Sequence, residues 1–187
     1  MTVPTYIALL RGINVGKAKR VAMADLRAAI ESLGYGDVRT LLNSGNAVFT
    51  SKRALKGSAA EELRAALLKK TGVSSRFTLR SADELRATVD ANPLLSVATD
   101  HTRLFAAFVT DTDGMKLVKP LTTQQWKPEV LAVGPNVVYI WCPNGLLESK
   151  ASAAVGKALG DGMTARNWAT VMKLTVLAET PGLGPGA

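Results

Sequence analysis

Apolar residues fall along the chain in short runs broken by glycine, asparagine and proline, and the spacing within each run assigns its element. TYIALLRG (residues 5–12) is dense in apolar residues and ends on glycine, which predicts a strand. Met23, Leu26, Ile30 and Leu33 then recur at helical spacing, with Gly34 where a helix C-terminus favours glycine. DVRTLL and NAVFTS flank Asn43, Ser44 and Gly45, a run of turn formers, and predict two strands joined as a hairpin. Leu55 to Thr71 sets Leu63 and Leu67 between charges, a second amphipathic helix closed by Gly72, and VSSRFTLR supplies a fourth strand. The order β-α-β-β-α-β is that of ferredoxin-like folds. The expected class is therefore α+β, with both helices on one face of a four-stranded antiparallel sheet.

The second half repeats part of this order. Residues 81–84, SADE, spell a capping box that opens a short helix, which should stop before Asn92-Pro93. RLFAAFVT predicts a strand, DTDGMKLVKPLTTQQW is compatible with a short helix, and EVLAVGPNVVYIWCP predicts a hairpin turning at Gly134-Pro135-Asn136. Two helices are expected to follow, Lys150 to Leu159 and Arg166 to Glu179. The pattern predicts a second, degenerate α+β half of similar type, with the chain divided into residues 1–80 and 81–187. The tail TPGLGPGA is expected to fray.

Composition narrows the class without naming a function. With 47% apolar and 20% charged residues, 187 residues suffice for a core and do not read as disordered. The one cysteine, Cys142, excludes a disulfide framework and suits a reducing cytoplasm. No apolar run reaches membrane-spanning length, so a cytoplasmic location with no membrane partner is expected. The net charge of +8 is uneven: residues 1–80 hold 14 Lys and Arg against 5 Asp and Glu, a balance of +9. Residues 81–187 hold 9 against 10, a balance of −1. A basic half points to an anionic small molecule, with weak, non-specific nucleic-acid binding as a secondary expectation.

Several familiar chemistries fail on spacing. Gly-Ile-Asn-Val-Gly-Lys after the first strand is not a phosphate-binding P-loop. Gly12 and Gly16 enclose three residues where that loop has four before its Gly-Lys pair, and Ala18 stands where a metal-binding hydroxyl belongs. His101 is the single histidine and reads as an exposed loop residue, while Cys142 reads as a small core residue. No Cys, His or carboxylate cluster has metal-ligand spacing, so neither metal nor cofactor is expected. An RNA-recognition motif would need paired stacking aromatics, and NAVFTS offers Phe49 alone.

What remains is a set of polar residues at strand ends. Arg11, Gly12, Asn14 and Gly16 leave the first strand; Asn43, Ser44, Gly45 and Asn46 lie between the second and third. Antiparallel pairing of the first and third strands would bring Asn14 to the Asn-Ser-Gly-Asn loop. Near the C-terminus, TARNWATVMKL read as helix places Arg166, Thr170 and Lys173 on one stripe and Trp168, Val171 and Met172 on another, with Thr164 or Arg166 at the helix start.

LLRGINVGK, MADLRAAIESLGYGDVRTLLNSGNAVF, ANPL and TARNWATVMKL together resemble the domain of unknown function family 1697, found mainly in bacteria. The resemblance implies a small cytoplasmic α+β protein and no established reaction. Lys17 stands where that family usually has a further glycine. The leading expectation is a binding protein whose anionic ligand docks near Arg11, Asn14, Asn43, Ser44, Asn46, Arg166 and Asn167, at a polar site between the two halves. The alternatives are an enzyme acting on a phosphorylated small molecule, with Lys150 or Lys173 as electrostatic helpers, and a structural protein whose function is partner binding.

Overall fold

The computed structural model describes residues 3–16, 19–180 and 182; Lys17, Ala18 and most of the TPGLGPGA tail lie outside the described residues. The chain forms two compact units, residues 1–85 with 174–187, and residues 86–173.

In the first unit the elements run β1 (Thr5–Leu10), α1 (Met23–Glu31), β2 (Gly36–Leu41), β3 (Asn46–Thr50), α2 (Ala59–Thr71) and β4 (Phe77–Ser81). The sheet order is β2-β3-β1-β4 with every pair antiparallel, the ferredoxin-like order. Ala8, Leu10, Ala47, Phe49 and Phe77 form one core with Leu26 and Ile30 of α1 and Leu63 and Leu67 of α2. The alternate residues Ile7, Leu9 and Val48 are buried as well. A strand buried on both faces has no polar side, which is why TYIALL reads as a continuous apolar run. Phe49 is core, with Tyr6 stacked at 5.9 Å between ring centroids.

Helix α3 (Ala82–Asp90) follows β4 and carries both arms of its capping box: Glu84 N donates to Ser81 Oγ (3.1 Å) and Ser81 N to Glu84 Oε2 (2.7 Å). In the second unit, β5 (Leu104–Val109) and α4 (Thr112–Val118) lead through a 3-10 turn (Lys119–Thr123) to β6 (Val130–Gly134) and β7 (Val137–Trp141). Then come α5 (Lys150–Leu159) and β8 (Met163–Asn167). The sheet order β6-β7-β5-β8 repeats that of the first unit. Tyr139 is fully buried, its hydroxyl donating to Thr88 O at 2.6 Å, and burial pushes the phenol up to about 12.

One expectation is corrected. Residues 163–167 are not part of the last helix but an edge strand paired with β5, and α6 spans Trp168–Glu179. The same segment is β4 in the first half, and the register is the same: Ile7 opposes Arg80 as Ala106 opposes Arg166. Ser81 then accepts from Glu84 N as Asn167 Oδ1 accepts from Thr170 N (2.9 Å), so each edge strand ends on the residue that caps the next helix.

Helix α5 shows how this chain satisfies a helix start. Glu129 Oε2 accepts from Ser149 Oγ (2.6 Å) and Ala151 N (2.9 Å), and Oε1 from Lys150 N (3.0 Å). Burial alone would raise this carboxyl, but the three donors and the Lys150 charge outweigh it and hold it below the ordinary glutamate range. A carboxyl lowered in the folded state stabilises fully above its ordinary range, and that stability is lost as pH falls through the folded value. Glu129→Ala is therefore expected to cost about 1–2 kcal/mol near neutral pH. The gap to the native protein should close in acid denaturation series below the ordinary glutamate range. A gap that persists unchanged there would contradict the ionic cap.

Candidate functional site

Three loops meet at one end of the first sheet because of its pairing. Leu9 opposes Asn46 and Leu10 opposes Phe77, so the exit of β1, the β2–β3 turn and the entry to β4 are neighbours. Beyond the strands, Leu10 N donates to Gly45 O (2.8 Å), Arg11 N to Arg76 O (3.1 Å), and Ser75 Oγ to Arg11 O (2.8 Å).

Asn14 organises this end. Its φ of 55° is left-handed, a conformation asparagine tolerates better than most residues. Its Oδ1 accepts from Val21 N (2.9 Å), and its Nδ2 donates to Val21 O (2.9 Å) and Asn43 O (2.6 Å). One side chain thereby closes the β1–α1 loop on itself and ties it to the β2–β3 turn. Asn46 is buried, and its Nδ2 donates to Leu41 O (2.8 Å) and Ser44 Oγ (2.9 Å), holding the turn from inside. Gly12 and Gly16 both have φ of +62° with open space around them, so they serve the turn of the backbone and not a close approach. Gly45 combines φ of +79° with tight packing against Leu10 and Ile13.

These asparagines therefore shape the loops. The charge on the same loops is carried by Arg11, Lys17, Lys19, Arg20 and Arg76; residues 11–22, 42–46 and 72–76 contain no Asp or Glu. Lys19, Arg20 and Arg76 are exposed and Arg11 is half-buried. The next carboxylate along the chain, Asp25, lies 3.9 Å from Lys70. Cations on segments that carry no carboxylate attract phosphate and carboxylate.

The remaining candidates belong to the second unit. Lys150 is exposed at the start of α5, where Glu129 already occupies the free amides. Arg166 lies on β8 and not at a helix start; its Nη1 donates to Ala165 O (2.8 Å), and burial pushes the guanidinium down to about 10, still a cation at neutral pH. Asn167 caps α6. In that helix Trp168 and Val171 are buried, but so is Thr170, while Met172 and Lys173 are exposed, so the expected basic and apolar stripes do not form. Thr164 is buried on β8. His101 is exposed in a turn, and Cys142 is buried, with burial pushing its thiol up.

The register-equivalent end of the second sheet shows what the fold itself requires. There Val109 N donates to Asn136 O (2.9 Å) and Thr110 N to Gly162 O (2.8 Å), matching Leu10–Gly45 and Arg11–Arg76. Residues 110–111, 134–136 and 160–162 hold no Lys or Arg and carry Asp111 and Asp161, while Asp113, already in α4, pairs with Lys116 at 2.6 Å. The same architecture thus bears opposite charge at its two corresponding ends. Sequence reading found the half-by-half imbalance but not this focus, because the three basic segments meet only through strand pairing.

The fold defines a protein of two ferredoxin-like α+β units in tandem. Its sequence matches the family model described as protein of unknown function (DUF1697) over residues 3–139, and the chain belongs to that family. The match ends before TARNWATVMKL. Among solved structures, the chain is similar to the conserved bacterial protein SP0830 from Streptococcus pneumoniae. The TM-score is 0.74 at 25% identity, covering 95% of this chain and 100% of that one. No curated protein matches it.

Proposed function

We propose that this protein binds a phosphate-bearing anion at the basic end of its first sheet, in the cytoplasm. The observation that carries the reading is the charge reversal between corresponding ends of the two sheets. A basic surface that only served solubility would have no reason to concentrate on one of two equivalent loop sets. Lys19, Arg20 and Arg76, with Arg11 behind them, supply the attraction. Asn14, Asn43, Ser44 and Asn46 hold the loops, and Gly12, Gly16 and Gly45 supply the left-handed backbone. Arg166, Asn167, Lys150 and Lys173 are not assigned to the ligand.

Inorganic tripolyphosphate is a suitable probe, since it offers phosphate charge without a base or sugar. In calorimetric titrations at low salt, Arg20→Ala combined with Arg76→Ala is expected to weaken it about thirtyfold, given about 1 kcal/mol for each of two solvated ion pairs. The melting temperature should hold, because both side chains are exposed. Lys150→Ala should leave binding unchanged. Equal loss from Lys150→Ala, or no loss from the arginine pair, would sink the assignment.

A further inference from the structure

The same basic end exposes two aliphatic side chains that its packing does not use. Val15, at the tip of the β1–α1 loop, is 73% exposed, and Leu42, in the β2–β3 turn, is 52% exposed. They are the sequence neighbours of Asn14 and Asn43, the two residues joined by the 2.6 Å hydrogen bond. Leu42 also has φ of 57°, a left-handed conformation in which leucine is strained and asparagine or glycine would be at ease. Its side chain therefore costs stability in the backbone and, 52% exposed, recovers only part of it by burial. Such a local cost is a pointer to function. The three loop segments of this end also carry the exposed Lys19, Arg20 and Arg76 and no carboxylate.

We infer that this end docks on an anionic lipid surface, the cations meeting headgroup phosphates while Val15 and Leu42 enter the acyl boundary. This rests on the proposed phosphate-binding end and names its partner. The pairing of cations with aliphatic tips decides between partners. Free phosphates offer nothing to Val15 or Leu42, and unpaired bases are usually held by aromatic faces. An anionic membrane offers both complements at the right depth. Among the described residues no helix is long and apolar enough to cross a membrane, and none is needed for surface docking.

The experiment is vesicle co-sedimentation with phosphatidylcholine alone and with added phosphatidylglycerol, run beside tripolyphosphate titration on the same variants. Binding only to the anionic vesicles is expected, weakened about tenfold by Val15→Ser and by Leu42→Asn, since burying one aliphatic side chain is worth roughly a factor of ten or more. Both variants should keep their tripolyphosphate affinity. Leu42→Asn should melt no lower than the native protein, because asparagine suits the left-handed turn. No vesicle binding, or vesicle binding indifferent to both substitutions, would overturn the inference while leaving the phosphate site standing if tripolyphosphate still binds. Stronger binding to duplex DNA that depends on Val15 and Leu42 would also overturn it, in favour of a nucleic-acid surface. Loss of both tripolyphosphate and vesicle binding in the native protein would remove the underlying site itself.

Discussion

Gly45→Ala is expected to destabilise the protein by about 2–5 kcal/mol in urea denaturation, enough to remove much of a typical domain's stability. Two costs add. Alanine at φ of +79° must adopt a left-handed backbone, at about 1–2 kcal/mol. Its Cβ would also stand 2.7 Å from Leu10 Cβ and 2.8 Å from Ile13 Cδ1, closer than packed carbons tolerate, and such overpacking costs about 1–3 kcal/mol. Leu10 is the last residue of β1 and fully buried, and its Cβ is fixed by the backbone, so this contact cannot be relieved by rotating a side chain. The turn also carries Asn43, which Asn14 holds, so surviving folded protein should bind tripolyphosphate less well. A loss below about 1 kcal/mol would show that the turn repacks freely and that Gly45 does not fix the loops.

Trp168→Ala should cost about 3–5 kcal/mol, the usual range for emptying a buried aromatic site. The indole is 1% exposed and meets Tyr139 edge-on, with centroids 6.1 Å apart and planes at 68°. Trp168→Phe should restore most of the loss, since it keeps the ring contact and leaves a smaller void. Unchanged phosphate affinity in Trp168→Phe is also expected. Arg166, Asn167 and Trp168 of TARNWATVMKL would then be explained by structure alone: an arginine on an edge strand, a helix cap and a core aromatic. Near-native stability of Trp168→Ala would contradict that reading.

The fold was legible where hydrophobic spacing was strong. TYIALL, the Leu63–Leu67 helix and the two hairpins declared themselves, and the first sheet's order followed from the order of its elements. Residues 163–167 did not. MTARN alternates over only four residues, its one buried member is the polar Thr164, and it runs without a break into a long apolar helix, so helical spacing absorbed it. Its identity lies in the pairing with β5, which sequence spacing does not contain. The meeting of Asn14 with the Asn43 turn was readable because antiparallel neighbours β1 and β3 force it. The roles of these asparagines were not, since a side-chain amide at a loop can serve a ligand or close a turn, and the distances to Val21 and Asn43 show that it closes one. Arg76 was missed altogether: it sits alone between serine and phenylalanine, and joins Arg11 only through the β1–β4 ladder.

In the proposed role, phosphate charge is received at the basic end of the first sheet and not at its acidic counterpart in the second. Backbone amide chemical-shift mapping during titration with tripolyphosphate tests it most directly. Progressive shifts are expected within residues 11–22, 42–46 and 72–76, reduced by raised salt, with residues 110–115, 134–136 and 160–162 unmoved. Shifts centred on the second set, or none in the first at saturating probe, would contradict it.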